Sequence, residues 1–372
     1  MTKSPLPRLW KVNSMTGGAS FGLRLPLLLR QTLTTNWKMA APKLISIVVP
    51  VYNRPDEVRD LLESLAAQDD RNFEVVIVED GSPVPCGDVC REYSGRLSVR
   101  YFFKENEGRS IARNYGMDRA DGDFFVFVDS DCILPPDYIS GLRRELREHP
   151  ADCFGGPDAA HSSFSDTQKA INYSMTSFLT TGGIRGGKVS LEKFVPRTFN
   201  MGYARAVYEK VGGFREMFSE DIDMSTRIRL AGYRIALYPE VKVYHKRRVD
   251  FKKFWRQVHV FGMSRITLQL LYPGSMKAVH WLPALFVVFA LAMIVGAFFN
   301  PLLLIPLAVY ILAVWVTGMI ATRSVKIGTL GVLAAMTQLC GYGTGFIRAY
   351  TWKILLRHGR DTQQEIEMRR GK

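Results

Sequence analysis

The stretch Phe124-Phe125-Val126-Phe127-Val128-Asp129-Ser130-Asp131 decides how this chain is expected to fold. Its uninterrupted apolar run is typical of a strand that is buried on both faces of a sheet. Because side chains alternate along a strand, Asp129 and Asp131 are expected to point the same way. Two hard oxygen ligands at a strand end suit a divalent metal that also holds substrate phosphates. The alternative is a polar strand end that begins a turn, since Asp-x-Asp is a common pair.

Three earlier segments have the composition of strands and are separated by helical patterns. Residues 44–51 and 73–78 are rich in β-branched residues, and residues 98–104 form a third run of this kind. Residues 56–68 carry apolar side chains at helical spacing, and residues 108–119 have a second helical pattern. This alternation predicts βαβ units, and therefore an α/β fold with a mainly parallel sheet. Ligands of such sheets bind beyond the carboxyl ends of the strands.

An ordered set of short motifs lies at those strand ends and further along the chain. The motifs are Val49-Pro50-Val51-Tyr52-Asn53, Val78-Glu79-Asp80-Gly81-Ser82, Asn106-Glu107-Gly108, Ala112-Arg113-Asn114, Val128-Asp129-Ser130-Asp131, Phe218-Ser219-Glu220-Asp221-Ile222-Asp223, Ala231-Gly232-Tyr233-Arg234 and Val243-Tyr244-His245. Over roughly residues 44 to 265, this order resembles family 2 glycosyltransferases. The resemblance implies the GT-A nucleotide-sugar-binding fold and an enzyme that transfers a sugar.

The resemblance implies a donor site formed by the first motifs. Pro50 and Tyr52 would flank the nucleotide base, and Asp80 would accept hydrogen bonds from a uracil or its ribose. Either Arg109 or Arg113 would meet the diphosphate. Taken alone, each has an ordinary structural explanation, as a packing aromatic, a turn residue or a solvated helix residue.

The resemblance also implies a metal site. Asp129 would face the ribose and share the metal with Asp131, and His245 would complete the shell. Mg²⁺ and Mn²⁺ both suit oxygen ligands and phosphates, and the sequence does not choose between them. For His245 the alternative is a basic surface residue, because Lys246, Arg247 and Arg248 follow it.

The acidic motif around residue 220 implies the catalytic base. By resemblance Asp221 deprotonates the acceptor hydroxyl, and Glu220 or Asp223 would be the supporting neighbour. A base works best when a partly desolvated cleft and a nearby carboxylate move its pKa towards neutrality, and we expect that here. The alternative is an acidic helix N-terminus without catalytic function. One base and no evident nucleophile imply a single displacement with inversion at the anomeric carbon.

The C-terminal third of the chain is strongly apolar. No Asp, Glu, Lys or Arg occurs between Ala278 and Thr322, which is more than the 20 or so residues that one spanning helix needs. Asn300-Pro301 predicts a break, and hence a helical hairpin of residues 279–299 and 302–321. A weaker apolar run at 327–347 either spans as well or forms a broken, re-entrant or interfacial segment.

The formal net charge of +14 is concentrated near these apolar segments, which favours an anionic membrane surface. No nucleic-acid-binding motif is present in the sequence, so nucleic acid is not an expected partner. Between 251 and 277, aromatic and aliphatic residues interleave with basic ones, and this pattern predicts an interfacial amphipathic helix. A helix that packs against a protein core is the alternative.

Five segments follow from these patterns. They are an extension that is expected to be disordered or to follow a wrongly assigned start codon (1–42), a GT-A catalytic domain (43–250), an interfacial segment (251–277), a membrane region of two to three helices (278–347) and a basic tail (348–372). We expect an inverting, metal-dependent enzyme at the inner (cytoplasmic) membrane, facing the cytoplasm. It would move a sugar from a UDP-linked donor to a lipid-linked or surface-glycan acceptor. The alternatives are a processive polysaccharide synthase and a non-catalytic membrane scaffold with the same fold.

Overall fold

The computed structural model of the protein describes residues 42–159, 165–181, 194–245 and 250–356. The predicted extension lies outside the described residues except for its last position. The same holds for the basic cluster at 246–249 and for the tail from residue 357.

A seven-stranded sheet forms the centre of the part of the chain before residue 250. Ten strands are present in the described residues: β1 Ile45–Val51, β2 Phe73–Asp80, β3 Val99–Lys104, β4 Phe124–Phe127, β5 Cys132–Ile133, β6 Cys153–Gly155, β7 Asp158–Ala159, β8 Met201–Ala204, β9 Ile235–Leu237 and β10 Val243–His245. The large sheet has the order β3-β2-β1-β4-β8-β6-β9. Its first four strands are mutually parallel, and β8 runs antiparallel to both neighbours. The predicted α/β fold with a mainly parallel sheet is confirmed.

Helices connect the strands of the two sheets. They are α1 Pro55–Ala66, α2 Gly87–Tyr93, α3 Arg109–Arg119, α4 Tyr138–Glu148, α5 Asp166–Thr176, α6 Phe178–Thr181, α7 Arg205–Val211 and α8 Glu220–Leu230. Helix α1 begins at a proline, whose fixed φ suits a first helical position, and buries the apolar face predicted for it. Helix α3 lies close to β1 because Gly116 has no side chain. A Cβ added at Gly116 would come within 2.6 Å of the Val48 side chain. This close approach places the N-terminal turn of α3 beside the strand ends.

A small second sheet of order β5-β10-β7 lies next to the carboxyl end of β4. The predicted strand 236–244 is in fact two short strands, β9 and β10, which belong to different sheets. A turn at Tyr238, in which Val241 donates to its carbonyl at 3.1 Å, separates them. In the small sheet His245 is the backbone partner of Cys132, the residue after Asp131.

Four long helices follow in the C-terminal part: α9 Phe251–Leu271, α10 Leu282–Gly296, α11 Ile305–Thr322 and α12 Val325–Tyr350. Among the described residues, two helical segments are long and apolar enough to cross a membrane, Pro301–Thr322 and Val325–Leu355. The break at Asn300 is confirmed, and its side chain accepts from the Leu302 N–H at 3.1 Å. The first predicted span is shorter than expected, since α10 has 15 residues, which is roughly 22 Å at 1.5 Å per residue.

The glycines of the third apolar run do not break it. They lie within the unbroken helix α12, which runs against α9. A Cβ on Gly341 would lie 2.6 Å from the Val258 side chain, and one on Gly345 would lie 2.0 Å from the backbone oxygen of His259. The glycines therefore permit close helix packing, as small residues do between membrane helices.

This packing bears on the helix predicted for residues 251–277. Phe254 and Val258 of α9 are buried against Ile171 of α5 and Ala334 of α12, whereas Trp255 is 40% exposed. Part of the predicted lipid-facing surface is thus covered by protein, and the interfacial position of the segment stays a prediction. A stripe of apolar residues at helical spacing fits a lipid surface and a neighbouring helix equally well, and the sequence does not separate the two.

Candidate active site

The loops after β1 and β2 are held together at the carboxyl edge of the sheet. Asn53 has φ of +55°, and its N–H donates to the Ser82 hydroxyl at 2.6 Å. The Ser82 hydroxyl in turn donates to the buried Glu79 carboxylate. Pro50 lies within β1, and the Tyr52 ring beyond it is 51% exposed. The backbone here is fixed while the aromatic ring is left open to solvent.

Asp80 holds the loop that leads into α3. Its carboxylate accepts from Lys104 Nζ at 2.8 Å, from the Glu107 N–H at 3.0 Å and from the Gly108 N–H at 2.8 Å. Gly108 has φ of +99°, which glycine adopts without strain, and α3 begins at the next residue. Asp80 therefore positions the start of α3. The contact with a uracil or ribose that the sequence suggests for Asp80 stays a prediction.

The two carboxylates of the Asp-x-Asp segment lie just beyond β4. The strand ends at Phe127, so Asp129 and Asp131 belong to the turn into β5. The alternation of side chains along a strand therefore does not determine where these two carboxylates point. Arg113 Nη2 donates to Asp129 at 2.8 Å, and Arg54 Nη1 lies 3.4 Å from Asp131. Their side chains are 33% and 19% exposed. Each acid thus has an arginine partner and a face towards solvent.

Arg113 connects the Asp-x-Asp segment with the acidic segment of α8. Besides Asp129, this buried guanidinium contacts Glu220 at 3.1 Å, across 107 residues of sequence. Arg109 Nη2 lies 2.8 Å from the other oxygen of Glu220. The side chain of Arg113 is 1% exposed and that of Arg109 is 57% exposed. Of these two arginines, Arg109 is the one that presents its charge to solvent.

Asp221 lies at the N-terminal turn of α8 and pairs with Arg197 Nη1 at 2.9 Å. Burial works to raise the pKa of Asp221, but the charge and hydrogen bond of Arg197, with the Ile222 N–H, outweigh it and leave this pKa below its ordinary value. The expected shift of the Asp221 pKa towards neutrality is therefore wrong. The neighbouring Glu220 carboxylate is neutralised by Arg109 and Arg113, so its charge does not raise the pKa of Asp221. An ionised Asp221 is ready to accept a proton at neutral pH.

The third acid of the segment, Asp223, is fully buried and has a different set of contacts. It accepts from Arg215 and from Arg227 at 2.9 Å each, and from the Tyr272 hydroxyl at 2.6 Å. Nearby, the hydroxyls of Ser219 and Ser264 are 2.8 Å apart. The acidic segment is thus joined to α9 and to the residue that follows it.

The donors available to the predicted metal site are two carboxylates, and the site stays a prediction. The carboxylates of Asp129 and Asp131 are hard oxygen ligands that remain partly exposed. Within residues 42–159, 165–181, 194–245 and 250–356, no three His, Cys, Asp or Glu side chains converge as a metal site. Two carboxylates suit a cation that keeps waters and shares substrate phosphates. The His245 backbone lies beside this turn, but its side chain is outside what the structure describes.

Two arginines of this site were missed by sequence reasoning. Arg197, which sets the pKa of Asp221, lies between the motifs, and no local pattern marks it. Arg54 follows a recognised motif but was not connected with Asp131, which is 77 residues away. Only the folded chain brings these charges together.

Comparisons with known proteins find similarity to glycosyltransferases in sequence and in fold. Residues 46–212 match the sequence model of Glycosyl transferase family 2. Glycosyltransferase GlyA of Streptococcus pneumoniae is 38% identical over 109 residues, which are 29% of this chain and 16% of GlyA. The putative glycosyltransferase EpsH of Bacillus subtilis is 38% identical over 102 residues, which are 27% of this chain and 29% of EpsH. The chain therefore spans less than a third of these two relatives.

A solved structure shares the fold over most of the chain. The mannosyltransferase PcManGT of Pyrobaculum calidifontis, in complex with GDP-Man and Mn²⁺, superposes with a TM-score of 0.58 at 18% identity. The match covers 84% of this chain and 92% of PcManGT. At this identity the likeness concerns the fold alone. Residues 46–212 are therefore a glycosyl transferase family 2 domain by sequence, and the fold is of the GT-A type.

Proposed function

We propose that the protein is an inverting glycosyltransferase that moves a sugar from a UDP-linked donor to a lipid-linked or surface-glycan acceptor. The observation that carries this proposal is the position of Arg113. It contacts both Asp129 and Glu220, and so brings the Asp-x-Asp turn and the acidic segment of α8 to one site. The Asp-x-Asp turn would hold the donor and the acidic segment of α8 the base for the acceptor. A single displacement requires donor and acceptor to lie next to each other, as these two segments do.

The donor would lie over the loops after β1 and β2. The exposed Tyr52 ring offers a stacking surface for the base, with Pro50 below it and Asp80 at the neighbouring strand end. Arg109, rather than the buried Arg113, would meet the diphosphate, since its side chain is more than half exposed. A planar guanidinium suits bidentate recognition of phosphate oxygens.

Asp129, Asp131 and, through its side chain, His245 are the residues that would hold a Mg²⁺ or Mn²⁺ ion. The ion would supply Lewis-acid stabilisation of the charge on the leaving diphosphate. In the structure, Arg54 and Arg113 neutralise the charges of Asp131 and Asp129, and both guanidiniums contact the turn after β4.

Asp221 would remove the proton of the acceptor hydroxyl. The hydroxyl oxygen then bonds to the anomeric carbon, and the bond to the nucleoside diphosphate breaks with its electron pair on the phosphate. One displacement inverts the anomeric centre. The low pKa of Asp221 keeps it ionised, and Arg197 stabilises that ionised form, so proton transfer depends on the acceptor displacing part of this ion pair.

We further propose that the protein resides at the inner membrane with this site facing the cytoplasm. The two long apolar helical segments support attachment to a bilayer. Residues 43–250 would form the catalytic domain and 278–347 the membrane region, with α9 packed between them rather than lying on the lipid surface.

A panel of sugar nucleotides incubated with the detergent-purified full chain tests the proposal. We expect metal-dependent release of one nucleoside diphosphate, and an anomeric configuration in the product opposite to that of the donor, measured by NMR. Product length separates a single transfer from polymer synthesis. Failure of every sugar nucleotide to bind or react would favour the scaffold alternative.

A further inference from the structure

A cavity of about 430 Å³ lies between the catalytic domain and the apolar helices. On the catalytic side it is lined by Ser219, which directly precedes the acidic segment, and by Arg197, which pairs with Asp221. On the other side its walls come from α9, α10, α11 and α12. The cavity therefore begins beside the proposed base and continues into the helical part of the chain.

The helical walls of this cavity are largely apolar. Phe261, Phe286 and Leu339 line it, together with the ring of Tyr310, which lies 5.5 Å from that of Phe286. The outer faces of the same helices also expose apolar side chains, for example Phe289, which is 61% exposed. A chain that leaves the cavity would thus meet further apolar surface rather than charged groups.

Positive charge lies at the same cavity. Arg265 and Arg197 are lining residues, and in the described part of the chain no acid pairs with Arg265. His280 also lines the cavity and is 8% exposed. The fixed positive charge offered to a ligand here is that of the arginines.

One polar atom beside this cavity lacks a partner. Gln338 is a lining residue, and its Oε1 is buried without a hydrogen bond to any described group. Buried acceptors are nearly always satisfied, and an unsatisfied one is costly. A ligand with a hydrogen-bond donor would remove this cost. Apolar walls with a few convergent polar groups are the usual character of a ligand site.

We propose that this cavity binds the acceptor, a lipid whose single apolar chain is joined through a phosphate to the head group that carries the reacting hydroxyl. This proposal rests on the proposed function and specifies its acceptor. The phosphate lies at Arg265 and Arg197, and the head group continues to Asp221. The first part of the chain lies between Phe261, Phe286 and Leu339. The cavity volume suits one chain segment rather than the two chains of a diacyl lipid.

Binding of farnesyl phosphate to the full chain in phosphatidylcholine nanodiscs tests the proposal. Tryptophan fluorescence reports binding, and farnesol and inorganic phosphate are the comparison probes. We expect farnesyl phosphate to bind at least about tenfold more tightly than either, because only it has both chain and charge. Equal affinity for farnesol would overturn the assignment of the arginines, and absence of farnesyl phosphate binding would overturn the proposal.

Two matched pairs of variants locate the site. Phe286→Ala should weaken farnesyl phosphate binding about tenfold, whereas Phe289→Ala, one turn later on the lipid-exposed face, should not. Arg265→Gln should weaken it similarly, whereas Arg256→Gln, an exposed position on the same helix, should not. Should Phe286→Ala fail to fold, Leu339→Phe replaces it and should block binding by filling the cavity. Equal effects within each pair would overturn the location.

A titration with nucleotide distinguishes failure of this proposal from failure of the proposed function. The same preparations are titrated with UDP and Mn²⁺. If UDP binds and farnesyl phosphate does not, the acceptor assignment is wrong while the transferase proposal stands. If farnesyl phosphate binds in the cavity but no sugar nucleotide binds, the lipid site stands without the transferase, and the acceptor role assigned to it is overturned.

Discussion

Arg197 forms a 2.9 Å ion pair with Asp221, and its charge opposes the effect of burial on that carboxylate. The pair joins the loop before β8 to the first turn of α8. Burial raises the pKa of Asp221, and Arg197, the Ile222 N–H and the charge of Arg109 lower it, so that Arg197 is the main counterweight to burial at the proposed base.

Replacing Arg197 by Gln should move the acid limb of the pH profile of kcat/KM to higher pH. The pKa of Asp221 is below its ordinary value because of Arg197, so without that charge the burial effect dominates and the pKa rises. Arg256→Gln, which changes an exposed arginine, is the control. Superposable profiles for Arg197→Gln and the parent enzyme would show that Asp221 is not the group that titrates.

Asp221→Asn should keep donor binding but lose transfer. General-base catalysis typically contributes about 10² to 10⁴ in rate, and a loss of that size in kcat with little change in the donor KM is expected. Single-turnover transfer assays measure it. Near-normal turnover in this variant, together with a dead Asp223→Asn that still folds, would move the role of base to the other acid.

Glu220→Gln should affect stability more than chemistry. The carboxylate is 2% exposed and neutralises Arg113, whose charge is buried as well. Removing one partner of a buried pair typically costs about 3–5 kcal/mol. Unfolding followed by circular dichroism in detergent measures it, with Glu92→Gln as the control, since its pair with Arg59 is exposed and screened. Equal stability of the two variants would contradict a structural role for Glu220.

Asp131→Ala should abolish the metal dependence of UDP binding. The variant removes one of two carboxylates at the end of β4, and among the described residues no third acid, His or Cys completes a site. Isothermal calorimetry with UDP, with and without Mn²⁺, gives the comparison. Asp88→Ala, at a position 85% exposed, should bind as the parent does. Unchanged affinity in the Asp131 variant would refute the metal assignment.

Gly345→Ala should destabilise the packing of α12 on α9. An added Cβ would lie 2.0 Å from the His259 backbone oxygen, so the helices must separate. Overpacking of this kind typically costs about 1–3 kcal/mol. At Gly95 a Cβ meets nothing within 4 Å, and Gly95→Ala is the matched control. Thermal unfolding in detergent compares them, and equal midpoints would show that α9 and α12 are not closely packed in solution.

The strands and the helices between them were predictable because each element carries its own periodicity. The run before Asp129 and the apolar face of α1 identify their structures locally. The ends of elements were less predictable. Strand β4 stops at Phe127 because its ladder with β1 and β8 ends there, and this depends on the partners rather than on the segment itself.

The electrostatics of the site were not predictable from the sequence. The motif identified Asp221 as an acid but gave no sign of Arg197, so the direction of its pKa shift was predicted wrongly. Similarly, the apolar stripe of α9 indicated burial without showing whether lipid or α12 covers Phe254. In both cases the deciding neighbour is distant in sequence, and one sequence carries no signal of such a pairing.

The hydrogen bond from Tyr272 to the buried Asp223 has a practical consequence for anyone who purifies this protein. Asp223 lies two residues from Asp221, and Tyr272 directly follows a helix that packs on α12. A surfactant that loosens the apolar helices would thus disturb the acidic segment without entering the nucleotide site. Activity lost on extraction would then return on reconstitution into lipid. An inactive preparation would therefore show the effect of the detergent rather than a defect of the amino-acid sequence.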